Sequence, residues 1–274
     1  MDILDFLYNT AAGRPILSFF IKRPVSLLAG AFLDSPISRF FIGPFVRKNN
    51  IRTRDYILDD IASFNDFFCR KIKKDLRPVD MEAGSLISPC DGALSVYRID
   101  DDTVLKVKNS AFTVRRMLRD KKLAGDLAGG YALVFRLGVQ NYHRYIYFDS
   151  GKKYKNRRIN GVYHTVKEEA LLRRPVFIEN AREYTVIDTD HFGRCVQMEV
   201  GAMLVGRIVN DVQGACKVKR GQEKGHFEYG GSTVILLLKK DAAFLRDDIT
   251  AVMGGKSEIP VVMGEKIGCC IDTR

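Results

Sequence analysis

The hydrophobic positions of this 274-residue chain change their spacing near residue 86. Before that point, apolar stretches rich in phenylalanine, such as 14–33 and 40–46, are broken by prolines and flanked by lysine and arginine. No apolar run reaches the roughly 18–20 residues that a membrane span needs. We therefore expect region 1–50 to form short amphipathic helices, which either lie in a membrane interface or pack on the protein's own core. A further helix is predicted over 55–74, where the apolar residues have helical spacing.

From residue 86 onward, segments rich in β-branched and aromatic residues are bounded by Gly, Asp and Asn turns, a pattern typical of strands. The predicted strands cover 94–97, 131–137, 144–148, 184–187, 195–200, 204–209 and 234–238. A short helix is predicted over 114–123. Because the chain shows no repeat and no low-complexity linker, we expect an α+β fold that is predominantly β. It would consist of a single β-rich domain over 51–274, sandwich- or barrel-like, preceded by the short amphipathic helices of 1–50.

The charge of the chain narrows the choice of partner. A net charge of +11 and a pI near 9.4 indicate nucleic acid, an anionic lipid surface or an acidic substrate, unless the charge serves solubility alone. Basic residues cluster in 152–158 and 217–224, but few aromatic residues are interleaved and no nucleic-acid-binding module is recognisable, so nucleic acid is the weaker alternative. The six cysteines form no C-x-x-C or histidine-spaced set, which argues against zinc and favours free thiols in a reducing compartment.

Candidate chemistry is concentrated at Gly230-Gly231-Ser232-Thr233, directly before the apolar run 234–238. Two glycines before a strand commonly form an ordinary turn. The same glycines would also give the Ser232 hydroxyl access to the carbonyl of the preceding residue, as self-cleavage requires. Ser232 lacks the Gly-x-Ser-x-Gly setting of an α/β-hydrolase nucleophile, so its own backbone is the more plausible target.

A nucleophilic serine needs a base, and imidazole titrates near neutral pH. The candidate bases are the four histidines, His143, His164, His191 and His226. Asp91 follows Ser88-Pro89-Cys90, in a turn signature that can also hold a carboxylate beside a histidine. Asp91, His143 and Ser232 then have the residue types of a Ser-His-Asp arrangement, although only geometry identifies such a triad.

A series of short blocks occurs in order between about residue 63 and about residue 240. They are Phe64-Asn65-Asp66-Phe67-Phe68-Cys69-Arg70, Arg77-Pro78-Val79-Asp80, Ser88-Pro89-Cys90-Asp91-Gly92, Tyr142-His143-Arg144, Phe177 with Asn180, Arg182 and Glu183, Val200-Gly201-Ala202, Val205-Gly206-Arg207-Ile208, Lys224-Gly225-His226-Phe227 and Gly231-Ser232-Thr233. In this order they resemble the phosphatidylserine decarboxylases, pyruvoyl-dependent membrane-associated enzymes, in their prokaryotic form. Each block is weak alone, whereas all of them in the family's order are a specific signal.

The resemblance implies that Asp91, a histidine and Ser232 form a relay for self-cleavage. The Ser232 hydroxyl would attack the carbonyl of Gly231, and the resulting ester would eliminate and hydrolyse to leave a pyruvoyl group at position 232. The products would be a β chain of residues 1–231 and an α chain of residues 232–274, associated as a heterodimer.

The resemblance also implies the reaction of the mature enzyme. The pyruvoyl group, a covalent cofactor made from Ser232, would form a Schiff base with the amine of phosphatidylserine and withdraw electrons as carbon dioxide leaves. A histidine would then return a proton, and the product would be phosphatidylethanolamine. Neither a metal nor a dissociable cofactor is implied.

One position departs from the family's pattern. Many members have a second histidine three residues after the first, and that second histidine is the relay base; here the position is Ile146. Either His143 serves both self-cleavage and decarboxylation, or another residue substitutes, and we favour His143 as the essential histidine. His164 is the candidate substitute, because strand-like sequence also follows it in the middle of the domain.

The diacyl tail of such a substrate stays in the bilayer. We therefore expect peripheral association with the cytoplasmic face of the cell membrane, through the apolar N-terminal segments and through attraction of the net positive charge to anionic phospholipid, including phosphatidylserine. Three alternatives remain open. They are an uncleaved lipid-binding homologue without decarboxylase activity, a nucleic-acid binder, which would leave the Ser232 motif unexplained, and a relative acting on a soluble amino-acid headgroup, which the apolar N-terminus disfavours.

Overall fold

Helices are concentrated at the N-terminus, and the remainder of the chain is built mainly from antiparallel strands. The computed structural model describes residues 3–100, 102, 104–107, 110–165, 170, 174–202, 207–229, 232–255 and 257–271, and the statements below concern these residues. Strands contain more of them than helices do, which confirms the α+β, predominantly β class. The helices are α1 (Ile3–Asn9), α2 (Gly13–Phe20), α3 (Arg23–Leu33), α4 (Ile42–Lys48), α5 (Phe64–Phe68), α6 (Val114–Leu118) and α7 (Lys121–Gly125), with further helices at Val176–Glu179 and Asp247–Ala251 and 3₁₀ turns at Pro36–Phe41, Thr53–Asp55 and Lys74–Leu76.

The strands are short, apart from those at the centre of the main sheet. They are β1 (Tyr56–Ile57), β2 (Lys71–Ile72), β3 (Ser85–Ile87), β4 (Gly92–Arg98), β5 (Val104–Val107), β6 (Ser110–Thr113), β7 (Tyr131–Leu137), β8 (Arg144–Ile146), β9 (Gly151–Lys153), β10 (Arg157–Ile159), β11 (Arg182–Thr189), β12 (Gly193–Val200), β13 (Ile208–Asn210), β14 (Cys216–Val218), β15 (Glu223–Phe227), β16 (Ser232–Leu238), β17 (Ala243–Leu245), β18 (Ile259–Val261) and β19 (Lys266–Cys270). Strands β4, β7, β8, β11, β12 and β16 confirm predicted segments, although β8 is shorter than predicted. The predicted segment 204–209 lies partly outside the described residues, and its described end belongs to β13.

The central sheet places β16 between two long neighbours. Within the described residues it has nine strands, in the order β14-β9-β11-β12-β16-β7-β4-β18, with β10 paired to β11 outside this path. Ser232 lies opposite Leu137 of β7, and Thr233 lies opposite Val200 of β12. Smaller sheets are formed by β13-β15-β8 and by β17-β19-β3. The strand that begins at Ser232 is therefore hydrogen-bonded along both edges.

Both faces of the central sheet are covered, which explains why 234–238 is apolar throughout rather than alternating. Ile235 and Leu237 belong to a core cluster shared with α6 and α7. Val234, Leu236 and Leu238 belong to a second cluster shared with β8, β15 and β19 of the smaller sheets. Because side chains alternate along a strand, Ser232 lies on the same face as Val234, beneath the small sheet that contains β8.

The helix predicted over 55–74 is wrong except for α5. Strands β1 and β2 pair with each other on either side of it, with Tyr56 opposite Ile72. The Ser63 hydroxyl accepts a hydrogen bond from the backbone N–H of Asp66 at 3.1 Å and so caps the start of the helix. A helix over the whole of 55–74 would need the backbone N–H and C=O groups on either side of α5 for its own hydrogen bonds. In the structure, those of β1 and β2 are paired with each other instead. The helix predicted over 114–123 is interrupted at Arg119, whose φ of 52° is left-handed.

The N-terminal helices have a buried side and an exposed side, as expected for short amphipathic helices. Tyr8 and Leu17 are buried in the first core cluster. The exposed large apolar side chains of this region are Ile16, Phe19, Phe20, Leu27, Leu28, Phe32, Ile37, Phe40 and Phe41. Of the described helices, no single one is long and apolar enough for a membrane span, while the consecutive segments Gly13–Phe20 and Pro24–Leu33, bent by 64°, reach that length and composition together.

Candidate active site

Ser232 and His143 are in direct contact, although they lie 89 positions apart in the sequence. The distance from His143 Nδ1 to Ser232 Oγ is 3.2 Å, and both residues are buried. His143 directly precedes β8, and Ser232 is the first residue of β16. The structure thus brings together two of the three residues that were predicted to form the relay.

The second ring nitrogen of His143 fixes the tautomer. Nε2 lies 3.0 Å from the backbone carbonyl oxygen of Gly138. Because a carbonyl oxygen can only accept, Nε2 carries the proton and Nδ1 presents its lone pair to Ser232. The Ser232 hydroxyl therefore donates to Nδ1, which is the direction needed for the imidazole to take its proton.

The Gly138 carbonyl is held by the turn that follows β7. The Gly138 N–H donates to Asn141 Oδ1 at 2.7 Å, and the Asn141 N–H donates back to the Gly138 carbonyl at 3.0 Å. Strand β7 ends at Leu137, which is directly opposite Ser232. The register of the central sheet therefore places the carbonyl that orients His143 next to the strand that presents the serine.

Aromatic packing keeps this pair away from water. The Phe68 ring of α5 lies with its centroid 4.0 Å from that of the His143 imidazole, and Phe68 is fully buried. Burial and, to a smaller extent, the positive charge of Arg70 lower the pKa of His143 to about 3, while the hydrogen bond to Gly138 acts in the opposite direction. The imidazole is therefore neutral at physiological pH and is able to accept a proton.

Asp91 is buried, and its carboxylate faces Arg77. Its Oδ1 accepts from Arg77 Nε at 2.7 Å and from the backbone N–H of Met263 at 2.9 Å, and its Oδ2 accepts from Arg77 Nη2 at 2.5 Å. Both ring nitrogens of His143 have other partners, so the structure does not join Asp91 to His143 by a hydrogen bond. The turn that contains Asp91 is still tied to the start of β8, because the Pro89 carbonyl accepts from the Ile146 N–H at 2.9 Å.

His164 lies in a different part of the molecule. Its Nδ1 is 3.1 Å from the hydroxyl of Tyr8 in α1, and its Nε2 is 3.3 Å from a carboxylate oxygen of Glu179. Burial, followed by the charge of Arg174, lowers the pKa of His164 to about 4. The structure does not bring His164 to Ser232, so the candidate substitute for the missing histidine is not in contact with the nucleophile.

The remaining positions that the sequence analysis singled out are Ile146 and the two glycines before Ser232. Ile146 is buried in the second core cluster, so an apolar side chain packs at the position where the resemblance led us to expect a second histidine. Gly230 and Gly231, the predicted residues before the cleavage point, lie outside the described residues. His143 is therefore the histidine that the described geometry offers to Ser232.

One group of described side chains is spaced like metal ligands. The ligand atoms of Asp211, Glu223 and His226 all lie within 4.8 Å of one another. Arg144 forms an ion pair with Glu223, so one of these carboxylates is already neutralised. We assign no metal to this group.

Comparison with known sequences identifies the family. The model of the family described as phosphatidylserine decarboxylase matches residues 64–269, a range that contains Asp91, His143 and Ser232. The chain belongs to this family. Phosphatidylserine decarboxylase proenzyme 2 of Clostridium acetobutylicum is 43% identical over 267 residues, which cover 97% of this chain and 91% of that protein.

Other relatives in the family agree over nearly the whole length. The phosphatidylserine decarboxylase proenzyme of Ruminiclostridium cellulolyticum is 40% identical and covers 99% of this chain and 92% of its own length. That of Clostridium perfringens is 37% identical and covers 98% of this chain and 93% of its own length. The resemblance inferred from the sequence blocks is confirmed.

The sequence did not point to Gly138 at all, and it gave Phe68 and Arg77 only as members of family blocks, without a role in the site. Gly138 orients His143, Phe68 packs on its ring and Arg77 binds Asp91. The glycine after a predicted strand was a visible turn signal, but a carbonyl has no sequence signature of its own. Conversely, Arg182 of a family block donates to the backbone carbonyls of Met117 and Asn180, which indicates a structural role.

Proposed function

We propose that this chain is a proenzyme that cleaves itself before Ser232 and then decarboxylates phosphatidylserine to phosphatidylethanolamine and carbon dioxide. The observation that supports the proposal most strongly is the buried contact between the Ser232 hydroxyl and the unprotonated Nδ1 of His143. The chain also belongs to the phosphatidylserine decarboxylase family. A serine with an adjacent base is the arrangement that nucleophilic attack requires.

Self-cleavage would begin with transfer of the Ser232 proton to His143 Nδ1. Oγ then forms a bond to the carbonyl carbon of Gly231, and the Gly231–Ser232 peptide bond breaks as its nitrogen gains a proton, which leaves an ester. Loss of the α-proton of residue 232 expels the Gly231 carboxylate and leaves dehydroalanine. Addition of water releases ammonia and leaves a pyruvoyl group at the new N-terminus.

The two products would stay together after cleavage. Residues 232–238 form β16, whose backbone pairs with β12 on one edge and β7 on the other. Strands β12 and β7 belong to the chain that ends at Gly231. The α chain of residues 232–274 would therefore remain locked in the sheet of the β chain of residues 1–231 as a heterodimer.

The position of Ser232 suits a prosthetic group made from this residue. Its hydroxyl already faces a general base in a buried site, and its strand is fixed on both edges. The pyruvoyl carbonyl would supply the electron sink for decarboxylation of the substrate amine adduct. His143, whose Nδ1 lone pair faces this position, would take up a proton from the substrate ammonium as the amine adduct forms and return it to the carbon after carbon dioxide has left. Asp91, through Arg77 and the turn at Pro89, would position β8 rather than touch the reacting atoms.

A membrane lipid as substrate is supported by an apolar cavity near the nucleophile. This cavity has a volume of about 310 Å³ and is lined by Phe32, Phe41, Phe45, Phe64 and Tyr229, among others. Tyr229 lies three residues before Ser232, and Phe32 and Phe41 belong to the exposed apolar surface of the N-terminal helices. An acyl chain would pass from a bilayer along this surface toward the site. We therefore propose a peripheral location on the cytoplasmic face of the membrane, aided by the net charge of +11.

Denaturing mass spectrometry tests the processing step. We expect two chains divided before Ser232, the smaller of which lacks a free amino group, and conversion of phosphatidylserine vesicles to phosphatidylethanolamine with release of carbon dioxide. Ser232→Ala should abolish both. A single intact wild-type chain without decarboxylase activity would favour the uncleaved lipid-binding alternative.

Vesicle binding tests the membrane association separately. Leu28 and Phe40 are 74% and 82% exposed, so Leu28→Asp and Phe40→Asp should spare the fold and weaken binding to anionic vesicles at least about tenfold. Met81, which is 70% exposed and lies outside the N-terminal helices, provides the matched control in Met81→Asp. Equal binding of all three variants and the wild type would refute the assignment of this surface.

A further inference from the structure

Arg70 is a buried cation whose guanidinium is held in place by carbonyls and aromatic rings. It follows α5 and is 2% exposed. Nη1 donates to the carbonyl oxygens of Phe67 and Phe68 at 3.1 and 3.4 Å. The guanidinium carbon lies 4.2 Å from the ring centroid of Tyr56 and 4.8 Å from that of Phe67, so both rings stabilise the charge.

These contacts leave part of the guanidinium without an acceptor. Nε and Nη2 are buried and have no hydrogen-bond partner among the described residues, and none of these residues places a carboxylate within ion-pair distance of Arg70. Two other buried cations are neutralised by carboxylates: Lys224 Nζ lies 2.6 Å from Glu199, and Arg220 Nη2 lies 2.9 Å from Asp149. Two more, Arg182 and Lys153, have no carboxylate partner among the described residues, but every side-chain nitrogen that they carry donates to a backbone carbonyl, which is not true of Arg70. Because an uncompensated buried charge is costly, the unused donors of Arg70 point to an anionic ligand.

A cavity of about 470 Å³ gives such a ligand access to Arg70. Two further arginines line it, but Arg144 is paired with Glu223 and Arg207 is paired with Glu228. Acidic lining residues such as Asp59 and Asp66 are exposed, where solvent and salt screen them. His226 also lines the cavity and its Nδ1 has no described partner, but burial lowers the pKa of this histidine to about 4, so it is neutral at physiological pH. Among the described lining residues, the buried cation with unused donors is therefore Arg70.

The chain segment that contributes Arg70 to this cavity also contacts the residues around Ser232. Phe68, two residues before Arg70, packs on the imidazole of His143. Cys69 lies between them and donates through Sγ to the carbonyl oxygen of Phe227, whose own N–H donates to the carbonyl of His143. A ligand group on Arg70 would thus belong to a molecule whose reacting end reaches position 232.

The chemistry of decarboxylation decides which anion this is. The substrate carboxylate loses its charge as carbon dioxide forms, so a cation that held it would stabilise the ground state more than the transition state. A phosphate diester keeps its charge throughout the reaction. Resting on the proposed function, we propose that Arg70 binds the headgroup phosphate of the phospholipid and positions its amine at residue 232.

Kinetics on mixed micelles of phosphatidylserine test this role. Arg70→Gln should raise KM about 10- to 100-fold, while kcat changes less than about threefold and self-cleavage goes to completion. Arg70→Lys, which keeps the charge but loses the planar set of donors, should raise KM by a smaller factor. Lys71→Gln, which removes an exposed cation from the same cavity lining, is the matched control and should leave KM unchanged.

Binding to the uncleaved Ser232→Ala chain provides a measurement that does not depend on turnover. Glycerophosphoethanolamine, which has the phosphate diester but no carboxylate, should lose at least about tenfold in affinity with Arg70→Gln, as followed by calorimetry. L-Serine, which has the carboxylate but no phosphate, should be unaffected. The same loss for serine, or inorganic phosphate that binds as tightly as glycerophosphoethanolamine, would overturn the assignment to the headgroup phosphate.

The two experiments separate the inference from the proposed function. A wild-type protein that does not act on phosphatidylserine refutes the function, whereas Arg70-dependent binding of glycerophosphoethanolamine would still support the phosphate subsite. Unchanged KM and unchanged binding in Arg70→Gln refute the subsite even if the enzyme is active. If neither Arg70→Gln nor Arg70→Lys cleaves itself, Arg70 is structural and the inference is wrong.

Discussion

Two histidines of this chain, His143 and His164, are buried to a similar degree but have chemically different hydrogen-bond partners. Burial lowers the pKa of His143 to about 3 and that of His164 to about 4, and both ring nitrogens of each have partners. His143 faces a serine hydroxyl and a backbone carbonyl, whereas His164 faces a phenol and a carboxylate. Neither burial nor pKa therefore distinguishes a candidate base from a structural histidine, and the chemical identity of the partner does.

The partners of His164 make it a bridge between two parts of the fold. Burial raises the pKa of Tyr8 to about 12, so its phenol keeps the proton and donates to Nδ1. The Nε2–H of the neutral ring then donates to Glu179. No partner in this chain of contacts is a nucleophile at neutral pH. His164 connects α1 to the segment around Glu179, while His143 connects two strands through a hydroxyl that can react.

The largest expected effect is the difference in self-cleavage rate between a variant that lacks His143 and one that lacks His164. His143→Ala should slow self-cleavage at least about 100-fold, because general-base catalysis contributes about 10²- to 10⁴-fold. His164→Ala should cleave at a rate within about threefold of the wild type. The appearance of the two chains in a pulse-chase experiment on denaturing gels measures both rates. If both variants cleave normally, neither histidine is the relay base.

The pairing at Ser232 illustrates how much could be predicted from the sequence. Strands over 131–137 and 234–238 were predictable because their apolar and β-branched residues identify them without tertiary information. That Ser232 lies opposite Leu137 depends on sheet register, which no local pattern encodes. The residue types suggested Asp91, His143 and Ser232 as a triad. The family resemblance supplied Ser232 as the nucleophile and a histidine as its base, and left the choice between His143 and His164 open.

Other parts of the site needed the folded chain. Asp91 lies 14 positions from Arg77, and two opposite charges at that separation meet only if the intervening loop folds back. The helix predicted over 55–74 failed because β1 and β2 pair with each other, a long-range contact that overrides local spacing. His164 was a reasonable substitute by position in the sequence, but its side chain is engaged by Tyr8 of the N-terminal helix.

The acid stability of the chain should show the second-largest effect, and it concerns His164. Its pKa in the folded state is about 4, below the value of about 6.5 in the unfolded state. Between pH 4 and pH 6.5 the unfolded state therefore binds more protons than the folded state. The neutral His164 thus contributes fully to the free energy of unfolding above about pH 6.5, and this contribution is lost as the pH falls toward 4. The test uses the Ser232→Ala background, in which a single chain unfolds. Between pH 7 and pH 4.5, the free energy of unfolding should fall by about 2 kcal/mol less in the His164→Asn variant than in the chain that keeps His164. Urea unfolding at several pH values measures this, and parallel curves with and without His164 would contradict it.

Removal of the Tyr8 hydroxyl should have a smaller effect on the same bridge. Tyr8→Phe keeps the ring in the core and removes the donor to His164 Nδ1, together with the acceptor for the Thr165 N–H at 3.2 Å. We expect a loss of about 1–2 kcal/mol in unfolding free energy, with self-cleavage unchanged. Tyr163→Phe, a second buried tyrosine for which the described residues show no side-chain hydrogen bond, is a suitable control. Slower self-cleavage in Tyr8→Phe would mean that the two histidine regions are coupled.

The smallest expected effect is the response of self-cleavage to pH, and it tests whether His143 is buried and neutral as the geometry requires. A histidine with an ordinary pKa of about 6.5 would be about 97% protonated at pH 5, and a reaction that needs its neutral form would slow roughly 30-fold between pH 8 and pH 5. With a pKa of about 3, His143 stays neutral over this whole range, so its titration should change the rate less than about twofold. Precursor made by cell-free synthesis and then shifted to each pH allows the rate to be followed on denaturing gels, with His164→Asn precursor as the control. A fall of tenfold or more toward pH 5 in both precursors would show that the base at Ser232 exchanges protons with solvent, and His143 would then not be a shielded, neutral base.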